Sequence, residues 1–128
     1  MNNQTWVGCN DDIYNAFSAD IVQGFISTMM PYVLSSIKVL IYNGQDDFII
    51  NAIGVENFIA NLKWNKIIDF LKSRKVVWNV NGEIAGYVQS YSNLTFATVL
   101  KAGHFSPFDQ PFAVRDMVNR FILNQGWN

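Results

Sequence analysis

The chain has 128 residues and a mass of 14.6 kDa, room for one domain and little more. Half of its residues are hydrophobic, 15% are aromatic and only 15% are charged, against roughly 25% charged in an ordinary globular domain. That composition excludes a disordered tail. A net charge of -1, from 9 basic and 10 acidic residues, excludes a nucleic-acid module built on a basic surface. No apolar run approaches the ~20 residues that span a bilayer, so no membrane partner is expected. Met1-Asn2-Asn3-Gln4-Thr5 lacks the charged and apolar regions of a signal peptide. So little charge to cover a surface points to a large protein partner.

The first predicted element is a helix from Asp11 to Met29. Ile13, Phe17, Ile21, Phe25 and Met29 recur every four residues and form one apolar stripe, with Asn10 or Asp11 as the cap. Pro31 is expected to stop that helix and open a short second one, Pro31 to Ser36. Lys38 to Tyr42 (KVLIY) is a continuous apolar run, the pattern of a strand buried on both faces. Asn43-Gly44 ends it, and Gln45-Asp46-Asp47 follow in a loop. Helices are expected over Ala52–Leu62, with Val55, Phe58, Ile59 and Leu62 inward, and over Asn65–Lys72, with Ile67, Ile68 and Leu71 inward.

The period then changes. Val76–Val80, Asn81-Gly82 and Glu83–Tyr91 read as a hairpin with a type I′ turn. Leu94 to Leu100 is a further strand, followed by Lys101-Ala102-Gly103-His104 in a loop. A last helix, Phe112 to Leu123, carries Val114, Met117, Val118, Phe121 and Ile122 inward. The order α-α-β-α-α-β-β-β-α belongs to an α/β layer architecture. A strand as apolar as KVLIY needs neighbours and cover on both faces, so the chain reads as part of a larger sheet.

The single cysteine, Cys9, makes no internal disulfide, and one His with one Cys does not compose a structural zinc site, so no metal or other cofactor is expected. Two sequons, Asn3-Gln4-Thr5 and Asn93-Leu94-Thr95, make Asn3 and Asn93 glycosylation candidates and hint at a secretory route.

In open α/β sheets functional groups collect on the loops beyond the carboxyl ends of the strands. Two loops qualify, one with Asp46 and Asp47, the other with His104. Acid before histidine is the order of the last two members of the α/β-hydrolase triad. There the histidine takes the serine proton and the carboxylate fixes its tautomer. The nucleophile would precede both in a G-x-S-x-G elbow, and the sequence contains no such motif. Spacing alone leaves plainer readings open: a histidine satisfied by backbone carbonyls, and an Asp pair serving turn chemistry.

The stretch VLIYNGQDDFIIN resembles the serine carboxypeptidase segment V-L-I-Y-x-G-D-x-D-x-I-x-N. GYVQSYSNLTFATVLKAGHFSPFDQPFAV is similar to that family's G-Y-x-x-x-Y-x-x-L-T-F-x-T-V-x-x-A-G-H-M-V-P-x-D-Q-P-x-x-A. Leu62-Lys63-Trp64 matches an L-x-W element, and Trp6-Val7-Gly8-Cys9-Asn10 a W-x-x-C-x element. In order and spacing the match covers nearly the whole chain. The resemblance implies an α/β-hydrolase fold of which residues 1–128 are the C-terminal portion, incomplete without the N-terminal one. It puts the catalytic acid on Asp47 and the catalytic histidine on His104. The chain departs from the pattern at Gln45, at Ile50 (commonly Cys), at Phe105 (commonly Met, in the leaving-group pocket) and at Ser106. Ile50 and Phe105 are therefore the substrate-binding candidates.

The resemblance also implies partners: an N-terminal portion or large chain carrying the serine, and a peptide substrate with a free C-terminal carboxylate. It pairs Cys9 with a cysteine in that missing portion and suits a vacuolar, lysosomal or secreted location. Three origins stay open: the smaller chain of a processed two-chain enzyme, a piece of a longer gene product, or a truncated product with no activity. The expected activity is hydrolysis of C-terminal peptide bonds. The alternatives are acyl transfer or hydroxynitrile cleavage on the same scaffold, and an inert interaction fragment.

Overall fold

The computed structural model of the protein describes residues 5–21 and 24–127. Its centre is one mixed sheet of four strands, β1 (Val39–Gly44), β2 (Lys75–Val80), β3 (Glu83–Tyr91) and β4 (Leu94–Val99), in the order β1-β4-β3-β2. β1 and β4 run parallel, from Val39 opposite Leu94 to Gly44 opposite Val99, and the other pairs are antiparallel. Two parallel neighbours in matched register end side by side, so the loops that follow Gly44 and Val99 leave from the same rim.

Helices cover both faces. Along β4, Leu94 and Phe96 point into one core with Leu34, Ile59, Leu62, Trp64 and Phe70. Ala97 and Val99 point into the other with Trp78, Val88, Ala102, Ala113, Val114 and Met117. This is the period-two alternation of a strand with apolar cover on both sides. The first core is closed by α2 (Phe25–Leu34), α3 (Ala52–Ala60) and α4 (Ile67–Lys72), the second by α6 (Pro111–Leu123). Asp116 on α6 accepts from Trp78 Nε1 at 2.8 Å and from Arg120 Nε at 2.6 Å, tying α6 to the sheet.

Several local expectations hold for the reasons given above. Asn10 Oδ1 accepts from the Ile13 N–H at 3.1 Å and caps α1 (Asp11–Ile21); the structure adds a cap not expected, Asn51 Oδ1 accepting from Gly54 N–H at 2.7 Å at the start of α3. Asn81 and Gly82 both have positive φ, 54° and 84°, the signature of the I′ turn.

Others are corrected. The helix expected over Asp11–Met29 is two: α1 ends at Ile21, and α2 opens after Gly24, a residue of low helix propensity. Pro31 does not end a helix but sits inside α2. The missing N–H leaves Ser27 O without its helical donor, a loss tolerated in this exposed segment. The stripe residues Ile13, Phe17, Phe25 and Met29 belong to neither core and are 57–64% exposed.

KVLIY is not the strand buried on both faces. It is the sheet's edge and half-buried, whereas β4 is buried at every position. Among the described residues no strand pairs the outer side of β1. On α4, Phe70 is buried while Ile68 and Leu71 are exposed. On α6, Ala113, Val114 and Met117 face inward, but Ile122 faces solvent. Short α5 (Ser106–Asp109) falls where a loop was expected.

Glycine is required where the two loops meet. A Cβ on Gly44 would lie 2.3 Å from Gly103 O and 2.4 Å from Ala102 O. Backbone bonds hold the loops at this spacing: Gln45 N–H to Val99 O at 2.8 Å and Asp46 N–H to Ala102 O at 2.9 Å. Gly44→Ala is therefore expected to lower stability by at least the 1–3 kcal/mol typical of overpacking, read as a fall in thermal midpoint. Gly126→Ala, with nothing within 4 Å of its Cβ, is the control and should leave the midpoint unmoved.

The open edge of β1 and the exposed stripe make a second prediction. An unpaired apolar edge templates association, and monomers seldom expose patches beyond a few hundred Å². The 128-residue chain by itself should sediment as oligomers or aggregates and bind a hydrophobic dye. A sharp monomer boundary with no dye response would contradict this.

Candidate active site

Asp47 is reached through a tight turn off β1. Its Oδ1 accepts the N–H groups of Ile49 and Ile50, both at 2.9 Å, which winds the loop around the carboxylate. Its Oδ2 accepts from Asn43 Nδ2 at 3.2 Å and lies 3.1 Å from His104 Nδ1. The Asp47 side chain is 3% exposed, while the neighbouring Asp46 is exposed and makes no side-chain hydrogen bond among the described residues. Of the two acids, the structure brings Asp47, and not Asp46, to the histidine.

Burial works against the Asp47 charge, but the Ile50 N–H, the His104 ring, the Ile49 N–H and the histidine's charge together outweigh it. The carboxyl is held below its ordinary range. An ionised carboxylate only accepts, so Nδ1 of His104 is the donor, and in the neutral ring Nε2 then carries the lone pair. The ring is 36% exposed, and no group among the described residues takes up Nε2.

The loop that presents His104 is braced from below. Gly103 N–H donates to Asp109 Oδ2 at 2.7 Å, Ser106 Oγ donates to Gly103 O at 3.0 Å, and Gln110 Nε2 donates to Lys101 O at 3.1 Å. Ser106 is buried and committed to that bond, so it is not a nucleophile for the neighbouring ring. Phe105 is 72% exposed and stands edge-on to the His104 ring at 5.3 Å between centroids. Ile50 projects into an open apolar depression with Ile26, Ile49, Val55 and Phe58. Both substrate-binding candidates thus flank the Asp47–His104 pair, on opposite loops.

The remaining candidates lie elsewhere. Cys9 is an exposed free thiol before α1. Asn93 is half-buried in the β3–β4 turn and its Nδ2 donates to Leu34 O at 3.0 Å, a bond that a glycan on that nitrogen would compete with. Asn3 lies outside the described residues. Among the described residues no group of three His, Cys, Asp or Glu is placed to hold a metal ion. Sequence reasoning passed over Asn43, whose only signal was its place in an Asn-Gly pair, and Asp109, whose signal was its match to the D-Q-P of the family pattern.

The serine carboxypeptidase family model matches residues 1–124. The chain is 38% identical over 119 residues to a probable serine carboxypeptidase, CPVL, of Dictyostelium discoideum, covering 91% of this chain and 24% of that protein. It is 36% identical over 118 residues to the pheromone-processing carboxypeptidase KEX1 of Coprinopsis cinerea, covering 92% of this chain and 19% of the relative. The crystal structure of a Kex1 prohormone-processing carboxypeptidase from Saccharomyces cerevisiae superposes with a TM-score of 0.79 at 30% identity, over 93% of this chain and 26% of that one. The chain thus spans 19–26% of these relatives, and its four-stranded sheet is part of their α/β-hydrolase fold. Sequence, sheet and paired loops agree, and the chain belongs to the serine carboxypeptidase family.

Proposed function

We propose that this chain supplies the acid and the base of a serine carboxypeptidase whose nucleophilic serine lies in an N-terminal portion outside it. The observation that carries the reading is the Asp47–His104 hydrogen bond at the rim of the parallel pair β1 and β4. Nε2 of His104 takes the proton from the serine hydroxyl as it attacks the carbonyl of the substrate's last peptide bond. The imidazolium that forms gains from the fixed Asp47 carboxylate beside it and then protonates the leaving amine. Water, deprotonated by the same nitrogen, releases the acyl group. The serine and the oxyanion donors are the partner portion's contribution.

Phe105 and Ile50 border the reacting centre on either side and give it apolar walls for the substrate. Cys9, exposed and unpaired in this chain, is free to bridge to a cysteine of the N-terminal portion. Such a bridge suits a vacuolar, lysosomal or secreted enzyme. The relatives are carboxypeptidases, which favours peptide hydrolysis over acyl transfer or hydroxynitrile cleavage.

In the enzyme assembled with its serine-bearing portion, His104→Ala should lower kcat by at least roughly ten-thousandfold on a peptide with a free C-terminus, as loss of a triad base does. Activity within a few-fold of the parent would overturn the role given to His104.

The lowered Asp47 pKa sets a sign for acid stability. The unfolded chain, with an ordinary carboxylate near 3.9, takes up this proton more readily than the folded one. The Asp47 network therefore stabilises fully above about pH 4–5 and is lost as pH falls through the lowered value. In the assembled enzyme, thermal midpoints of the parent and Asp47→Asn should differ most at pH 6, and the gap should begin to narrow near pH 4 and close only as pH falls through the lowered value. A gap independent of pH would contradict the charge assignment.

A further inference from the structure

Asn43 stands in the strand β1, two residues on from Ile41 and so on the same face, directed toward the apolar core beneath the Asp47 loop. The side chain belongs there poorly on packing grounds. The residue is 6% exposed, and its Oδ1 is buried with no hydrogen-bond donor among the described residues. A buried polar atom without a partner costs free energy that an apolar side chain of similar size would not.

The other end of the amide accounts for the residue. Nδ2 places one N–H on Asp47 Oδ2 at 3.2 Å and the other on Ile50 O at 3.0 Å. Both partners are acceptors, so the amide orientation is fixed: turned over, Oδ1 would face a carboxylate oxygen and a carbonyl oxygen. One nitrogen thus joins both ends of the Asp47 turn. It shares with His104 the same carboxylate oxygen, Oδ2, which leaves that oxygen with two donors and a set direction.

We infer that Asn43 is a positioning residue for the Asp47–His104 pair: its Nδ2, held by Ile50 O, fixes the Oδ2 lone pair that orients the histidine ring. This rests on the function proposed above and adds a fourth side chain to that machinery. Leaving Oδ1 unsatisfied is the cost of a donor at that point.

The test uses Asn43→Ala and the near-isosteric Asn43→Asp in the enzyme assembled with its serine-bearing portion, with His104→Ala alongside. Hydrogen bonds to charged groups of this kind correspond to rate losses on the order of tenfold to a hundredfold. Asn43→Ala should lose kcat in that range while KM stays within about threefold, since Asn43 touches no substrate. Asn43→Asp carries a pH signature that a packing role would not give. Two carboxyls facing each other across 3.2 Å cannot both ionise readily, so at acid pH they share a proton and an O–H restores the lost donor. As pH falls from 7 toward 4.5, the ratio of variant to parent kcat should rise.

A loss carried by KM, a kcat within twofold of the parent, or a flat Asn43→Asp ratio would overturn the positioning role. If Asn43→Ala does not accumulate as folded protein, the Asn43→Asp ratio decides the question alone. An active His104→Ala enzyme would instead overturn the proposed function, so the two failures are distinguishable.

Discussion

The site depends on how closely two backbones approach where β1 and β4 end. Gly44 lies so near Ala102 and Gly103 that the space for a Cβ is already occupied by two carbonyl oxygens. Without that contact the loops bearing Asp47 and His104 would separate by about the thickness of a methyl group. A 3.1 Å hydrogen bond does not survive such a displacement, since polar contacts beyond about 3.5 Å carry little direct bonding. Parallel pairing in register brings the loops to one rim, and the missing side chain at Gly44 lets them touch. The chemistry of the pair follows from geometry settled in the backbone.

Within that frame the Asp47 carboxylate is saturated. Two backbone N–H groups take Oδ1, and an amide and an imidazole take Oδ2. Burial raises the carboxyl's pKa, yet the Ile50 N–H, His104 and the Ile49 N–H together reverse the balance. The charge is thereby kept beside a histidine whose far nitrogen is open. A buried, fully bonded acid and a half-exposed base form a directional pair, aimed out of this chain toward whatever covers the rim. Among the described residues the apolar stripe of α1 and α2 is exposed as well, and the outer edge of β1 is unpaired.

Much of this was legible in the sequence. Local rules placed the hairpin at Asn81-Gly82, a cap at Asn10 or Asp11, and the acid and the histidine on strand-end loops. The family pattern singled out Asp47 over Asp46, which the geometry also does. Burial was less legible. KVLIY and the LTFATV strand are equally apolar, and which one lies central is a matter of sheet order, a non-local property. The helical period from Ile13 to Met29 ran through Gly24 unbroken because side-chain pattern and backbone continuity are separate quantities. Asn43 escaped notice because an Asn before Gly reads as turn chemistry, and its partners at Asp47 and Ile50 become neighbours only after the loop closes.

In the proposed function His104 serves a serine brought from outside this chain. This is tested most directly by a crystal structure of the assembled enzyme with a phosphonate probe bonded to its reactive serine. The account predicts Nε2 of His104 within about 2.6–3.2 Å of that serine's Oγ or of a phosphonyl oxygen, with Nδ1 still on Asp47. A labelled serine out of reach of Nε2, or a histidine paired with Asp46, would contradict it.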